Sequence, residues 1–223
     1  MKNDRETRAK LLASAKAEFL EKGYMQASLR NICKNAGVTT GALYFFFQDK
    51  EDLFASLVEE PLHGLYELMK AHYSLEIGNL ESADGMLDNS DDMDTARGAI
   101  HYMYQYYDEF LLLLTKAQGS RYEACVDQFV SITERHYRVV ADQFANMIHA
   151  PRIEDYIVHW VSHMQIDSFV HLLTHVESEE EALRYIEVTV KYLITGWFGA
   201  IGGGKSLQEI AKDAMTEESN RKK

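Results

Sequence analysis

Apolar residues recur at three- and four-residue intervals along most of this chain, and that spacing is typical of amphipathic helices. The sequence has only two prolines and is poor in runs of β-branched residues, so we predict an all-α protein. Pro61 predicts a break or bend near Glu60, and the acidic stretch 80–94 predicts a surface loop. The predicted helices are residues 5–22, 50–60, 62–79, 95–118, 121–148, 153–176 and a last long helix that begins after Ser178.

Residues 28–53 predict a helix-turn-helix followed by the start of another helix. Ser28 and Thr39 suit N-cap positions, because their hydroxyl groups accept hydrogen bonds from the first turn of a helix. Between them, Gly37 suits the positive φ at which a helix ends. The helix predicted over 5–22 has an apolar face that can pack on this pair, which gives an N-terminal three-helix domain. That face comprises Leu12, Ala15 and Phe19, and Gly23 follows as the predicted helix end.

The helix predicted to begin after Thr39 is unusual because it starts with small residues only. Residues 39–42 are Thr, Thr, Gly and Ala, so a DNA backbone or groove edge can approach closely. Tyr44 adds a hydroxyl group within reach of a phosphate. Lys50 adds a cation at a helix N-terminus that already favours anions. We therefore predict that this helix enters the major groove of DNA.

The first quarter of the chain resembles the DNA-binding domain of the tetracycline-repressor (TetR) family. The resemblance is carried by Leu12, Ala15, Phe19, Gly23-Tyr24, Ser28-Leu29, Ile32, Ala36-Gly37-Val38-Thr39, Gly41-Ala42-Leu43-Tyr44, Phe47 and Lys50-Glu51-Asp52-Leu53. It implies that the helix from Thr39 is the recognition helix. Together, the motif and the resemblance predict DNA contacts from Ser28, Thr39, Thr40, Gly41, Ala42, Tyr44, Phe45 and Lys50. A three-helix core that binds no DNA is the alternative interpretation.

The distribution of charge supports one DNA-binding end on an acidic body. The net charge of the chain is −12, which by itself disfavours DNA. Residues 1–50, however, carry nine Lys and Arg against five Asp and Glu, a net charge of +4. The rest carries fourteen against thirty, a net charge of −16, and we interpret it as a solvated acidic surface.

The sequence predicts a cytoplasmic protein without a membrane partner. It has neither an apolar run as long as a membrane span nor the apolar core of a signal peptide near its first residue. Cys33 and Cys125 fall on different predicted helices, and two reduced, buried thiols are the expected state in that compartment. We predict no cofactor.

The middle of the chain is rich in tyrosine. Four tyrosines within 102–107 cannot all face one core, and their hydroxyl groups need partners. Tyrosine and methionine at helical spacing are more often core residues, and this alternative stays open. The family resemblance places an effector pocket among these helices, and its lining favours a bulky apolar or cationic molecule. The predicted pocket residues are Tyr66, Met69, Tyr104, Tyr107, Phe110, Tyr122, Phe129 and His163, with Glu109 and Glu123 as further candidates.

The last two long helices predict a homodimer interface. Both carry apolar stripes, and two consecutive helices of this kind suit a two-fold four-helix interface. The family also dimerises through such a pair. The predicted interface residues are Ile157, Val161, Met164, Ile186, Val190, Leu193 and Trp197.

Residues 199–206 match the phosphate-loop pattern GxxxxGK[ST] letter for letter. That loop works only between a strand and a helix of an α/β sheet, with a metal-binding acid downstream. Nothing else in the chain predicts a parallel sheet. We therefore interpret the glycines as a helix terminus rather than as a nucleotide site.

Four histidines on the helix predicted over 153–176 form two i,i+4 pairs. They are His159 with His163 and His171 with His175, and each pair shares a helix face on which a metal ion can be chelated. The alternative is that these histidines form hydrogen bonds at an interface or pocket. We prefer that alternative and predict no metal site here.

The sequence as a whole predicts a dimeric, ligand-responsive transcription regulator, and its family resemblance implies a repressor. Residues 1–52 are the predicted DNA-binding domain, and residues 53–223 are the predicted effector-binding and dimerisation domain. The predicted partners are a double-stranded, near-palindromic operator, a small-molecule effector and a second copy of the chain. An activator or a helical interaction protein with the same fold is the alternative. An enzyme is disfavoured, because no Ser-His-Asp spacing, zinc-protease motif or dinucleotide fingerprint is present.

Overall fold

The computed structural model describes residues 2–79, 90–202 and 209, and the regular structure of these residues is entirely helical. This confirms the all-α prediction for the described part of the chain. The helices are α1 (Lys2–Gln26), α2 (Leu29–Ala36), α3 (Thr40–Phe46), α4 (Lys50–Asn79), α5 (Ser90–Gln105), α6 (Tyr107–Leu111), a π-helical turn (Leu112–Lys116), α7 (Cys125–Met147), α8 (Asp155–His175) and α9 (Glu179–Ile201).

The ends of the short helices follow the predicted capping chemistry. The Ser28 hydroxyl accepts a hydrogen bond from the Asn31 N–H at 3.5 Å, and the Thr39 hydroxyl accepts one from the Ala42 N–H at 3.2 Å. Gly37 ends α2 with a φ of 68°, a conformation that favours glycine. These contacts confirm the predicted helix-turn-helix.

The described chain divides into two compact units. The first unit contains residues 1–66 and 103–126, and the second contains residues 67–102 and 127–223. The first unit therefore includes a later segment of the chain in addition to the helix-turn-helix. The functional boundary between residues 52 and 53 stays a prediction.

The first unit is built around apolar side chains from α1 to α4. Phe19 packs edge-on against Phe54, with ring centroids 5.0 Å apart, and Tyr24 lies edge-on to Phe54 at 5.3 Å. The fully buried side chains around this aromatic group include Leu11, Ala15, Phe19, Ile32, Leu43, Leu53 and Phe54. The predicted face of α1 is confirmed at Ala15 and Phe19, but Leu11 and not Leu12 completes it.

The second unit has its own core between α7, α8 and α9. Val140, Phe144 and Val158 pack against Trp197 and Phe198 near the end of α9. The Ser178 hydroxyl accepts a hydrogen bond from the Glu181 N–H at 3.4 Å, which confirms the predicted N-cap of this last helix.

Two predicted helix boundaries and part of a predicted loop are wrong. Pro61 lies inside the continuous helix α4, because its missing N–H removes only one hydrogen bond while Pro61 itself and its neighbour Leu62 are buried. The helix predicted over 95–118 breaks at Tyr106, which has a non-helical φ of −116° and ψ of 41°. The helix end predicted at Gly23 is confirmed, because its φ of 73° and ψ of 164° are non-helical and kink the range given for α1, after which one separate turn follows. Residues 90–94 are helical, and the rest of the predicted acidic loop lies outside the described residues.

The phosphate-loop motif begins on a helix. Gly199 belongs to α9, and Gly202 follows its last residue, with its N–H donating to the Phe198 carbonyl at 2.8 Å. A helix precedes the motif where a phosphate loop needs a strand. Residues 203–206 lie outside the described residues. Among the residues that the structure describes, no helix is both long enough and apolar enough to cross a membrane.

Candidate nucleic-acid interface

The start of α3 exposes its small residues and buries only its apolar anchor. Thr39, Thr40 and Gly41 are exposed, whereas Leu43 is fully buried in the first unit. A Cβ added at Gly41 meets only the Thr39 Oγ1, at 3.9 Å. The fold itself therefore does not require glycine at this position. The side of α3 that carries these residues is open to a partner outside the chain.

Two aromatic residues extend the exposed surface of α3. Tyr44 is 56% exposed and Phe45 is 76% exposed, whereas Phe47, which follows the last residue of the helix, is buried. The edge of Phe45 also packs against Phe46, with ring centroids 4.9 Å apart. Such large exposed side chains on a seven-residue helix indicate a contact surface.

Lys50 occupies the first turn of α4, as predicted, but its ammonium group already has partners. It donates hydrogen bonds to the carbonyl oxygens of Met25 and Ala27, at 3.1 and 3.0 Å. It also lies 4.7 Å from the centre of the Tyr24 ring. Burial lowers the pKa of Lys50 below its usual value. The side chain therefore ties α4 to the end of α1, with one of its three N–H groups left for a further acceptor.

Glu18 supports the start of α2 and was not singled out from the sequence. Its carboxylate is buried and accepts hydrogen bonds from the Ser28 N–H at 3.1 Å and the Asn31 Nδ2 at 3.4 Å. Lys22 lies 3.3 Å away on the next turn. Burial raises the pKa of Glu18, but these donors outweigh burial and hold the pKa below 4.5. The sequence signal that could have identified Glu18 is its position, because it is a charged residue next to Phe19 on the buried side of an amphipathic helix.

Glu51 joins the helix-turn-helix to the later segment of the first unit. One of its carboxylate oxygens accepts a hydrogen bond from the Tyr24 hydroxyl group at 2.8 Å. The other accepts one from the backbone N–H of Arg121 at 3.2 Å. Burial, then the Glu51 carboxylate, raises the pKa of Tyr24 to about 12. The segment 103–126 is thereby bonded directly to α1 and α4.

A second connection links the same segment to α1. The Lys16 ammonium lies 2.7 Å from a Glu109 oxygen and 3.6 Å from an Asp108 oxygen. Burial lowers the pKa of Lys16, but the two carboxylates more than offset burial, and the net pKa is raised. Glu109, a further pocket candidate from the sequence, thus forms an ion pair with α1.

The predicted pocket residues belong to different units. Tyr104 and Tyr107 lie in the first unit with ring centroids 5.4 Å apart, whereas Met69, Phe129 and His163 lie in the second. Tyr66, Phe110 and Tyr122 belong to the first unit, and Phe110, Tyr122 and Phe129 are buried. The aromatic residues of this region therefore contribute to packing, and the effector pocket stays a prediction.

On α9, the residues predicted to form the dimer interface and the apolar residues that are exposed lie on different faces of the helix. Ile186 is completely buried, and Val190 and Trp197 are buried as well, so these three side chains pack within their own unit. Ile157, Val161, Met164 and Leu193 are partly buried. The large apolar residues that α8 and α9 expose are instead Tyr156, Trp160, Tyr185, Val188 and Tyr192, which we call the exposed stripe.

Comparison with known proteins agrees with the helix-turn-helix. Residues 11–57 match the family model described as bacterial regulatory proteins, tetR family. The repressor BepR of Brucella suis is 49% identical over 53 residues, which are 24% of this chain and 25% of that protein. The chain thus spans about a quarter of the length of this curated relative.

Solved structures match over a longer part of the chain and share its fold. One is described as a TetR-family transcriptional regulator from Syntrophomonas wolfei, with 22% identity, a TM-score of 0.53 and coverage of 85% of this chain and 95% of that one. NalD of Pseudomonas aeruginosa, the secondary repressor of the MexAB-OprM multidrug efflux pump, has 22% identity, a TM-score of 0.54 and coverage of 84% and 96%. Residues 11–57 of the chain therefore match the helix-turn-helix domain of the tetR family of bacterial regulatory proteins, and the chain shares its fold with these two regulators.

Proposed function

We propose that this chain is a ligand-responsive repressor that binds a double-stranded operator in the cytoplasm as a homodimer. The observation that carries the proposal is the start of α3, where residues 39–42 are exposed or partly exposed around the buried anchor Leu43. A helix whose exposed end has been reduced to hydroxyl groups and a glycine can approach base edges and phosphates closely.

The proposed recognition surface comprises α3 together with the N-termini of α2 and α4. Ser28 and Thr39 start α2 and α3, and Lys50 starts α4, so three helix N-termini belong to this surface. Backbone N–H groups at such ends, together with the Lys50 ammonium, favour phosphate oxygens. Tyr44 and Phe45 supply exposed aromatic contacts. We infer that phosphate contacts position α3 and that its small residues read the base edges.

The exposed stripe supports dimerisation through α8 and α9. Tyr185, Val188 and Tyr192 follow each other at intervals of three and four residues, so they share one face of α9. Tyr156 and Trp160 stand at the same kind of interval on α8. Aromatic residues that are exposed in one chain are typical of the buried centre of an interface. Two recognition helices related by a two-fold axis would read half-sites about 34 Å apart.

The contacts of segment 103–126 offer a route by which an effector can change operator binding. Glu51 bonds this segment to the first turn of α4, and Lys16 bonds α1 to Glu109. A ligand that moves the segment therefore acts directly on the helices that hold α3. A coupling free energy of about 1–3 kcal/mol is sufficient for such a switch.

The class of effector follows only from the residues and one structural neighbour. Aromatic and methionine side chains at the predicted pocket positions favour a bulky apolar molecule. NalD, which shares the fold, is described as a repressor of a multidrug efflux pump. We propose an effector of this bulky apolar kind.

The function is tested with the full chain and labelled DNA from upstream of neighbouring genes. We expect saturable binding that resists an excess of random-sequence DNA, and a footprint of two related half-sites. Binding without sequence preference at physiological salt would contradict the proposal, and absence of DNA binding would favour the helical interaction protein.

A further inference from the structure

A group of histidine and carboxylate side chains meets between α4 and α5 in the second unit. His72 and Glu76 lie one turn apart on α4, and Asp92 lies in the first turn of α5. The His72 Nε2 is 3.2 Å from an Asp92 oxygen and 3.7 Å from a Glu76 oxygen. One ligand atom from each residue falls within 4.8 Å of the others. Three potential metal ligands therefore converge on one point.

A second histidine reaches Glu76 from α7. The His136 Nε2 lies 2.6 Å from the Glu76 oxygen that also faces His72. The His136 ring is 5% exposed and stacks on the Tyr73 ring, with centroids 3.9 Å apart. Its other nitrogen, Nδ1, is buried and has no hydrogen-bond partner among the described residues. The ring is thus fixed by stacking, and its Nε2 is directed into the group.

The charge of this group favours a cation. Glu76 and Asp92 are only 22% and 24% exposed, and the ion-pair partners recorded for them in the described part of the chain are histidines. Two carboxylates so enclosed, without a lysine or arginine partner among those residues, are costly to keep ionised. A divalent cation would compensate both charges.

The surroundings of His72 also fit a metal ligand. Its Nδ1 lies 3.2 Å from the Thr95 hydroxyl oxygen, which leaves Nε2 facing the two carboxylates. Histidine ligands usually form such a hydrogen bond through the nitrogen that does not bind the metal, because it fixes the ring orientation. A simple ion pair does not need this support.

We propose that His72, Glu76 and Asp92 form a binding site for a divalent first-row transition metal ion of the zinc type, with His136 beside Glu76. One imidazole with two carboxylates suits zinc and its neighbours and leaves a coordination position for water. Metal–ligand distances near 2.1 Å place tetrahedral ligands about 3.4 Å apart, and the distances from His72 to its two carboxylates lie on either side of that value. The site is independent of whether the chain binds an operator.

The histidine pairs of α8 provide the internal comparison. The His159 Nδ1 is already paired with Glu134 at 2.8 Å, and the His175 Nδ1 is 3.0 Å from the His171 carbonyl oxygen. Within the described residues, the group of three or more potential ligands lies at α4 and α5 and not on α8.

The experiment uses the full chain, stripped with a chelator and then titrated with Zn²⁺ by calorimetry and with Co²⁺ by visible absorption. We expect one ion per chain and the d–d absorption of Co²⁺ bound by nitrogen and oxygen ligands. Glu76→Gln and Asp92→Asn preserve side-chain shape and should each weaken binding at least about tenfold. The matched control, His171→Gln with His175→Gln, should bind like the wild type. Circular dichroism of each variant verifies its helical content.

The outcomes separate the proposal from its rivals. Saturable binding that is lost in Glu76→Gln and Asp92→Asn supports it. Absence of saturable binding to the folded wild type overturns it, as does equal binding by these variants. Loss of binding in the α8 double variant alone also overturns it, because the metal then binds the exposed histidine pair.

Discussion

The carboxylate of Glu18 accepts a hydrogen bond from the backbone N–H of Ser28 at 3.1 Å, and this contact fixes the first turn of α2 from inside the first unit. Ser28 also caps α2 through its hydroxyl group, so one residue is held on both sides. The proposed recognition helix α3 packs on α2 and follows it after a three-residue connection that contains Gly37. Any loss at Glu18 therefore reaches the proposed DNA-binding surface through the position of α2.

Replacing Glu18 with Gln should destabilise the chain by about 1–3 kcal/mol, because a buried charge-assisted hydrogen-bond network loses its acceptor charge. The pKa of Glu18 is held below 4.5 in the folded state, so the stabilisation is present above the unfolded pKa. It is lost as the pH falls through the folded pKa. Urea unfolding at pH 7 and near pH 4 should show a smaller difference between variant and wild type at the lower pH.

The matched control for Glu18 is Glu21→Gln, since Glu21 is exposed on the same helix. It should leave the free energy of unfolding within about 0.5 kcal/mol of the wild type. Equal effects of the two substitutions at pH 7 would show that the contact with Ser28 contributes no stability.

Local chemistry explains which parts of the fold were predictable from the sequence. Ser28, Gly37, Thr39 and Ser178 were correctly placed at helix ends, because capping depends on neighbouring residues. Pro61 was misjudged, since packing of its surroundings keeps α4 continuous despite the lost hydrogen bond. Local rules therefore succeed where the partner is a few residues away.

Tertiary packing decides the features that the sequence left open. Ile186 and Tyr185 are adjacent, yet one is fully buried and the other is 48% exposed. Apolar periodicity cannot distinguish a core stripe from an interface stripe, since both are apolar. Likewise, His72 and His136 are brought to the same carboxylate only by the packing of α4 and α7.

Gly41→Val should abolish operator binding without reducing the stability of the chain by more than about 1 kcal/mol. Among the described residues, and apart from the backbone of α3 itself, the atom nearest to a Cβ at this position is the Thr39 Oγ1 at 3.9 Å, so the added side chain projects outward. It would then occupy the space that the proposed DNA needs. Fluorescence anisotropy with the operator and thermal unfolding measure the two effects separately.

Gly98→Val serves as the control for Gly41, because a Cβ at this helical glycine of α5 also meets nothing within 4 Å. It introduces the same β-branched residue away from α3 and should retain operator affinity. Tight binding by Gly41→Val, with the control unchanged, would disprove close approach at this glycine.

Lys50→Met should weaken binding to every DNA sequence alike and reduce the salt dependence by about one unit, because one phosphate contact is lost. The hydrogen bonds to Met25 and Ala27 are lost as well, so a modest decrease in stability should accompany the change. Methionine retains the apolar stem of the side chain and so limits the packing loss.

The charge-matched control for Lys50 is Lys70→Met, because Lys70 is a lysine on the same helix whose side chain is 75% exposed. It should leave both the slope of log affinity against log salt concentration and the stability unchanged. A decrease in stability by Lys50→Met with an unaltered salt slope would assign this lysine a purely structural role.

Val188→Glu should dissociate the dimer and thereby remove high-affinity operator binding, since the buried centre of an interface tolerates an unpaired charge poorly. Val188 is 70% exposed in the single chain, so the substitution leaves the core of the second unit intact. Sedimentation velocity measures the loss of dimer, and circular dichroism should show unchanged helical content. Leu75→Glu, at another exposed apolar residue of the second unit, should remain dimeric.

A substitution at Ile186 distinguishes the exposed stripe from the apolar stripe that the sequence predicts as the interface. Ile186 is fully buried, so Ile186→Glu should unfold the second unit rather than yield a folded monomer. If Val188→Glu stayed dimeric while remaining folded, the two-fold contact would lie elsewhere on the chain. The spacing of the two recognition helices would then have to be set by a different pair of helices, and an operator with half-sites about 34 Å apart would no longer follow from α8 and α9.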